Sequence, residues 1–269
     1  MMTPSHLLQR LRRAMWTWKQ PLTRQPSERT APISDLFIWR TSKDWQTSFE
    51  LIDIPSLFCD YPHAAPRDVM IVFFDHKGRY CLEKRIPVLP HQRQTLNISS
   101  LVGESHGAVG TFAVFHADIP RAVTDIGCFL AERGYVSYRY QQAPLQAYVH
   151  GNFDAIARKS DHTFERLGVA GWRTRHYCLQ HAMQNPSFYE LGIVNPTNKV
   201  QSFHCQLISL LSGKLLSHQI VKLPPQGMHL IHFPINQSEP ARAVIQSRLV
   251  MARPLVFRIQ NSKLDVFHG

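Results

Sequence analysis

The sequence predicts an all-β protein: two tandem antiparallel β-sandwich units of immunoglobulin-like type, preceded by a short N-terminal amphipathic helix. Three observations lead there. Residues 45–120 and 185–254 read as two copies of one β-rich unit. Within each copy, runs rich in β-branched and aromatic residues are separated by turn formers at about eight- to twelve-residue spacing. The chain has 269 residues, 44% of them hydrophobic, which is enough for each copy to bury its own core.

From His6 to Lys19 the apolar residues Leu7, Leu8, Leu11, Ala14, Met15 and Trp18 recur at helical spacing, with arginines on the remaining arc. Pro21, Pro26 and Pro32, among Thr, Arg, Gln and Ser, then break regular structure, so residues 1–32 are read as helix plus linker. The folded body is expected to begin at Ile33. Phe49 to Ile54, Val69 to Asp75, Tyr80 to Val88, Gln94 to Ile98 and Thr111 to His116 have strand character. His76-Lys77-Gly78 sits where a tight hairpin turn belongs.

The second copy repeats this order. Val69 to Phe73 parallels Phe203 to Leu207, Leu89-Pro90 parallels Leu223-Pro224, and Pro120 parallels Pro254, each pair 134 residues apart. The expected division is 33–157 for a first sandwich with an extra aromatic segment, 158–174 for a polar connector and 175–269 for a second sandwich.

A net charge of +11 suits an anionic partner, yet residues 1–30 hold much of it, with six Lys and Arg against Glu28. Arg10, Arg12, Arg13, Trp16 and Lys19 therefore form a candidate surface for an anionic membrane, with nucleic acid ranked behind it. Packing of this helix on its own body is the competing reading. No apolar run reaches the roughly 18 residues a spanning helix needs, and the first twenty residues lack a secretory apolar core. A cytoplasmic and membrane-peripheral location is expected. The five cysteines are scattered and never form a C-x-x-C pair, which argues against both a disulfide framework and a structural zinc site.

Motifs for catalysis are weak. Gly103-Glu-Ser105-His-Gly107 has the G-x-S-x-G spacing of a nucleophile elbow, making Ser105 the one candidate nucleophile. A strand rather than a helix follows it, and His106 beside it points away, so a surface loop is the stronger reading. Pro225 to Asn236 resembles the second half of a cupin motif but has Leu230 where that motif needs histidine. His229 and His232 would face opposite sides of a strand, so no metal and no cofactor are expected.

The aromatic and polar run Tyr138, Tyr140, Tyr148, His150 and Asn152 is the candidate ligand-binding surface. Aromatic rings flanked by hydrogen-bonding groups can stack on a sugar ring. The expected function is thus a non-catalytic binding or assembly protein for a glycan-like ligand or protein partner, with homo-oligomerisation compatible with it. An electrostatic adaptor using the N-terminal helix is the second reading, and a Ser105 hydrolase the third.

Overall fold

The computed structural model describes the chain except for residues 1–22, 29, 54–55, 57–66, 117–130, 133, 142, 152–154, 234–238 and 251–253. The N-terminal helix expectation, with Arg10, Arg12, Arg13, Trp16 and Lys19, lies outside the described residues, as does Asn152.

Twenty strands run through the described residues. They are β1 (Ile33–Ser34), β2 (Phe37–Arg40), β3 (Trp45–Ile52), β4 (Arg67–Asp75), β5 (Tyr80–Val88), β6 (Arg93–Asn97), β7 (Val109–His116), β8 (Ala131–Glu132), β9 (Tyr135–Tyr140) and β10 (Ala147–His150). The chain continues with β11 (Ile156–Ser160), β12 (Thr163–Arg166), β13 (Ala170–Cys178), β14 (Phe188–Val194), β15 (Gln201–Ser209), β16 (Leu215–Leu223), β17 (Met228–Phe233), β18 (Ala241–Leu249), β19 (Leu255–Gln260) and β20 (Lys263–His268). One helical turn, α1 (Ile98–Val102), is capped by the Asn97 side chain, which accepts from the Ser100 N–H.

These strands form five four-stranded sheets: β2-β7-β4-β5, β10-β9-β3-β6, β13-β18-β15-β16, β17-β14-β19-β20 and β12-β11-β1-β8. The all-β character stands, but the expected pair of tandem immunoglobulin-like sandwiches is corrected. Five four-stranded sheets are the inventory of a five-bladed β-propeller, here with interleaved rather than sequential strand order inside each sheet. The largest apolar cluster joins Phe37, Phe49, Phe73 and Phe112 to Met228, Leu255, Phe257 and Val266 from the far end of the chain. Residues 158–174, read from sequence as a connector, carry β12 and parts of β11 and β13.

Strand order nevertheless repeats along the chain. β4 and β15 start at Arg67 and Gln201 and are both nine residues long. Each is flanked by the partners that correspond in order, β7 and β5 in one case, β18 and β16 in the other. The inward residues Val69, Ile71 and Phe73 pack in the first cluster, and Phe203, Cys205 and Leu207 pack in a second with Leu191, Ile231 and Ile245. Among the described residues the fifth sheet has no counterpart. It lies over the outer side of β4 and β7, where Met70, Val72, Phe74 and Phe115 meet Leu36, Ile156 and Phe164. Phe164 approaches Phe74 edge-on at 5.6 Å and stacks on Phe115 at 5.9 Å between centroids.

The two halves are fastened to each other. The turn at Gly78 (φ +74) lies so close to the second half that a Cβ there would come within 2.0 Å of the Pro225 carbonyl oxygen. The Met228 N–H donates to the His76 carbonyl at 3.0 Å, and the Thr111 hydroxyl to the Gln226 carbonyl at 3.3 Å. Buried Arg40 of β2 donates to Glu190 of β14, with its guanidinium 3.3 Å from the Trp45 ring centroid. Burial lowers the Arg40 pKa, against the raising influence of its Glu190 hydrogen bond. His232 Nδ1 lies 3.0 Å from the other Glu190 oxygen.

Candidate functional site

Alternation along β9 decides which tyrosines meet solvent. Val136 and Tyr138 turn inward to the core, with Tyr140 packed against it. Tyr135 is 55% exposed, and Tyr148 on neighbouring β10 is 49% exposed. The β9–β10 register sets Tyr135 opposite His150 and Ser137 opposite Tyr148, so Tyr135, Tyr148 and His150 share the outer face of sheet β10-β9-β3-β6. Tyr135 and His150 meet edge to face at 6.3 Å.

The next strand adds polar groups to that face. Glu50 of β3 stands opposite Tyr135 on one side and Thr95 of β6 on the other. Its carboxylate accepts from Arg93 Nε at 2.7 Å and from the Thr95 hydroxyl at 3.0 Å. The hydrogen bond to Glu50, ahead of its charge, raises the Arg93 pKa. The Ser137 hydroxyl donates to Gln146 at 2.7 Å. The result is a sheet face with two open phenol rings, an imidazole and an ion pair with outward donors.

Two glycines fix the ends of this segment. At Gly134 a Cβ would fall 2.6 Å from the Phe49 ring, and at Gly151 it would fall 1.7 Å from an Asp35 carboxylate oxygen. At Gly151 the missing side chain makes room for Asp35. His150 also stands at the rim of a cavity of ≈ 70 Å³ lined in part by Val136, Tyr138, Val149, Leu255 and His268. The His268 ring donor reaches the His150 carbonyl at 2.7 Å.

Of the residues assigned to ligand binding from sequence, Tyr148 and His150 come together on the outer face. Tyr138 is fully buried, donates its hydroxyl to the Ile38 carbonyl at 2.8 Å and packs edge-on against Phe257 at 5.0 Å. Burial pushes its phenol pKa far above the usual range. Tyr140 packs on Trp45 at 4.9 Å. Both tyrosines are parts of the inner layer that supports the face. Tyr135, Glu50, Arg93 and Thr95 were not assigned. The strand period already put Tyr135 on the opposite side from Tyr138, but only the register with β3 and β6 brings Glu50, Arg93 and Thr95 beside it.

Ser105 is exposed in a 3₁₀ turn (Glu104–His106) between Gly103 and Gly107, and among the described residues no base hydrogen-bonds its hydroxyl. His229 and His232 lie on the edge strand β17. His229 is held below the ordinary imidazole pKa by burial first, then by His232 and His76. Among the described residues no cluster of three or more His, Cys, Asp or Glu side chains could hold a metal ion, and no helix is long and apolar enough to cross a membrane. Comparison with protein-family models, curated proteins and solved structures finds no match to the chain.

Proposed function

We propose that the protein is a non-catalytic binding protein whose outer β10-β9-β3-β6 face takes a glycan-like ligand. The observation that carries this reading is the grouping of Tyr135, Tyr148 and His150 beside the Glu50–Arg93–Thr95 network on one sheet face. Phenol rings left open to solvent give a sugar ring an apolar surface to stack on, and the charged pair supplies directional hydrogen bonds to its hydroxyls. Bodies built from small packed sheets commonly serve as scaffolds for binding or assembly, which suits such a role.

The test is a glycan array probed with the full chain, followed by titration calorimetry on the best-bound sugar. Tyr148→Ala and Tyr135→Ala are expected to weaken binding at least tenfold, about 1.4 kcal/mol, with an unchanged circular dichroism spectrum. Full affinity in both variants, or no sugar bound by the parent chain, rejects the assignment.

A further inference from the structure

β16 is the outermost strand of its sheet, paired on one side with β15 over Gln201–Leu223 to Ile208–Leu215. Among the described residues, no backbone hydrogen bond from outside the sheet reaches the free side of Leu215 to Lys222. A strand edge of this length is a template for another strand unless something guards it.

The corresponding strand of the first half is guarded. β5 carries Glu83, Lys84, Arg85 and Pro87, and the turn between β11 and β12 lies against its outer face. There His162 lies 3.5 Å from Glu83 and Asp161 lies 3.9 Å from Arg85. The Tyr80 and His162 rings meet at 5.3 Å. Among the described residues β16 lacks these devices, and it is tied to the neighbouring sheet by Gln219, whose side chain donates to the His232 carbonyl of β17 at 3.0 Å. The β16 sequence Leu-Leu-Ser-His-Gln-Ile-Val-Lys-Leu lacks proline and has one charge, and Leu215 and Ile220 are each 55% exposed. Leu211, in the turn that leads into it, is 74% exposed.

The electrostatics around this edge are one-sided. Between Glu190 and Glu239 the chain contains no Asp or Glu, whereas Lys214 and Lys222 stand just before the strand and near its end. Glu239 itself is engaged by the Ser209 and Ser212 hydroxyls. A second copy of the chain is a poor occupant, because antiparallel pairing about His218 would set Lys222 against Lys214, like charge opposite like.

We infer that the β16 edge adds an extended segment of a partner protein, apolar in its middle and acidic at both ends. Main-chain hydrogen bonds to Leu215–Lys222 supply the affinity, Ile220 and Leu215 meet its apolar side chains, and Lys214 and Lys222 set its position. Within this chain the Asp161–Arg85 pair is an instance of the same chemistry, an acidic residue meeting a basic one on a sheet edge. This site is separate from the aromatic face, so each proposal stands or falls alone.

The experiment uses the full chain and a fluorescein-labelled nine-residue peptide of alternating valine and threonine with aspartate at each end. Its twin has lysine at each end. The expected result is binding of the aspartate peptide at least tenfold tighter than its twin, weakened by salt, with the preference reversed in Lys214→Glu/Lys222→Glu. Amide exchange should slow at alternate residues between Leu215 and Lys222, because strand addition pairs every second N–H. No binding, equal binding of the two peptides, or binding without that alternate protection overturns the proposal. So does native mass spectrometry showing a dimer whose β16 amides are already protected without peptide.

Discussion

β4 and β15 occupy equivalent places in the two halves, yet one is buried on both faces and the other on one. Val69 to Phe74 are all buried, three side chains facing Phe49 and Phe112 and three facing the fifth sheet. In β15 the buried residues are Phe203, Cys205 and Leu207 with Gln201 and Ser209 at its ends, while Ser202, His204, Gln206 and Ile208 retain contact with solvent. The same strand order therefore serves a middle layer in the first half and an outer layer in the second. A sheet's place in its own order does not fix how many faces it buries; what lies on top of it does.

The comparison can be broken most directly by emptying the extra layer. Phe115→Ala, which removes the ring stacked on Phe164, should cost about 3–5 kcal/mol, whereas Gln246→Ala on the corresponding face of β18 should stay within about 0.5 kcal/mol. Urea unfolding of the two variants measures the difference, and equal losses would mean the fifth sheet adds no real core. The fastening between the halves comes next. Arg40→Ala strands Glu190 with only the half-exposed His232 as partner, and should cost about 3 kcal/mol, while Arg40→Met with Glu190→Leu should recover most of it.

A smaller effect separates the halves by pH. His229 of β17 corresponds to Thr95 of β6, which cannot titrate. Because the folded pKa of His229 is depressed, its contribution is fully present above the unfolded value of about 6.5 and is lost as pH falls through the lower folded value. His229→Thr should therefore reduce the fall in melting temperature between neutral and mildly acidic pH. His181, also depressed by burial, and then by Arg258, leaves a residual slope in the variant. Smallest of all, Ile220→Lys on the open edge should change stability by no more than about 0.5 kcal/mol. A larger loss in the same urea assay would show that Ile220 is packed in the free protein.

Much of this contrast was legible in the residues. Ser202 to Leu207 alternates polar and apolar, the signature of a strand with one wet face. Val69 to Phe74 is a continuous apolar run, which signals burial on both faces, and that signal implies an additional layer that two sandwiches do not provide. What would form the layer was harder to read. β11 and β12 bury little beyond Ile156, Ala157 and Phe164, so Lys159, Asp161 and His162 make the segment look like a polar connector. Its pairing of Ile33 with Ala157 spans most of the first half and leaves no local pattern. The candidate face was half visible for a similar reason. Period two groups Tyr148 with His150 and Tyr138 with Tyr140, but which group faces water depends on Phe257, more than a hundred residues away.

The turn at Gly78, seated against Pro225 and Gly227, has a consequence for recognition. With the halves fastened there, the aromatic face of the first and the open edge of the second are held at a set separation and angle. A partner that presents both an acidic strand and a glycan, the ligands proposed for these two sites, at that spacing would bind the second site at the high effective concentration created by the first, gaining avidity that neither contact has alone.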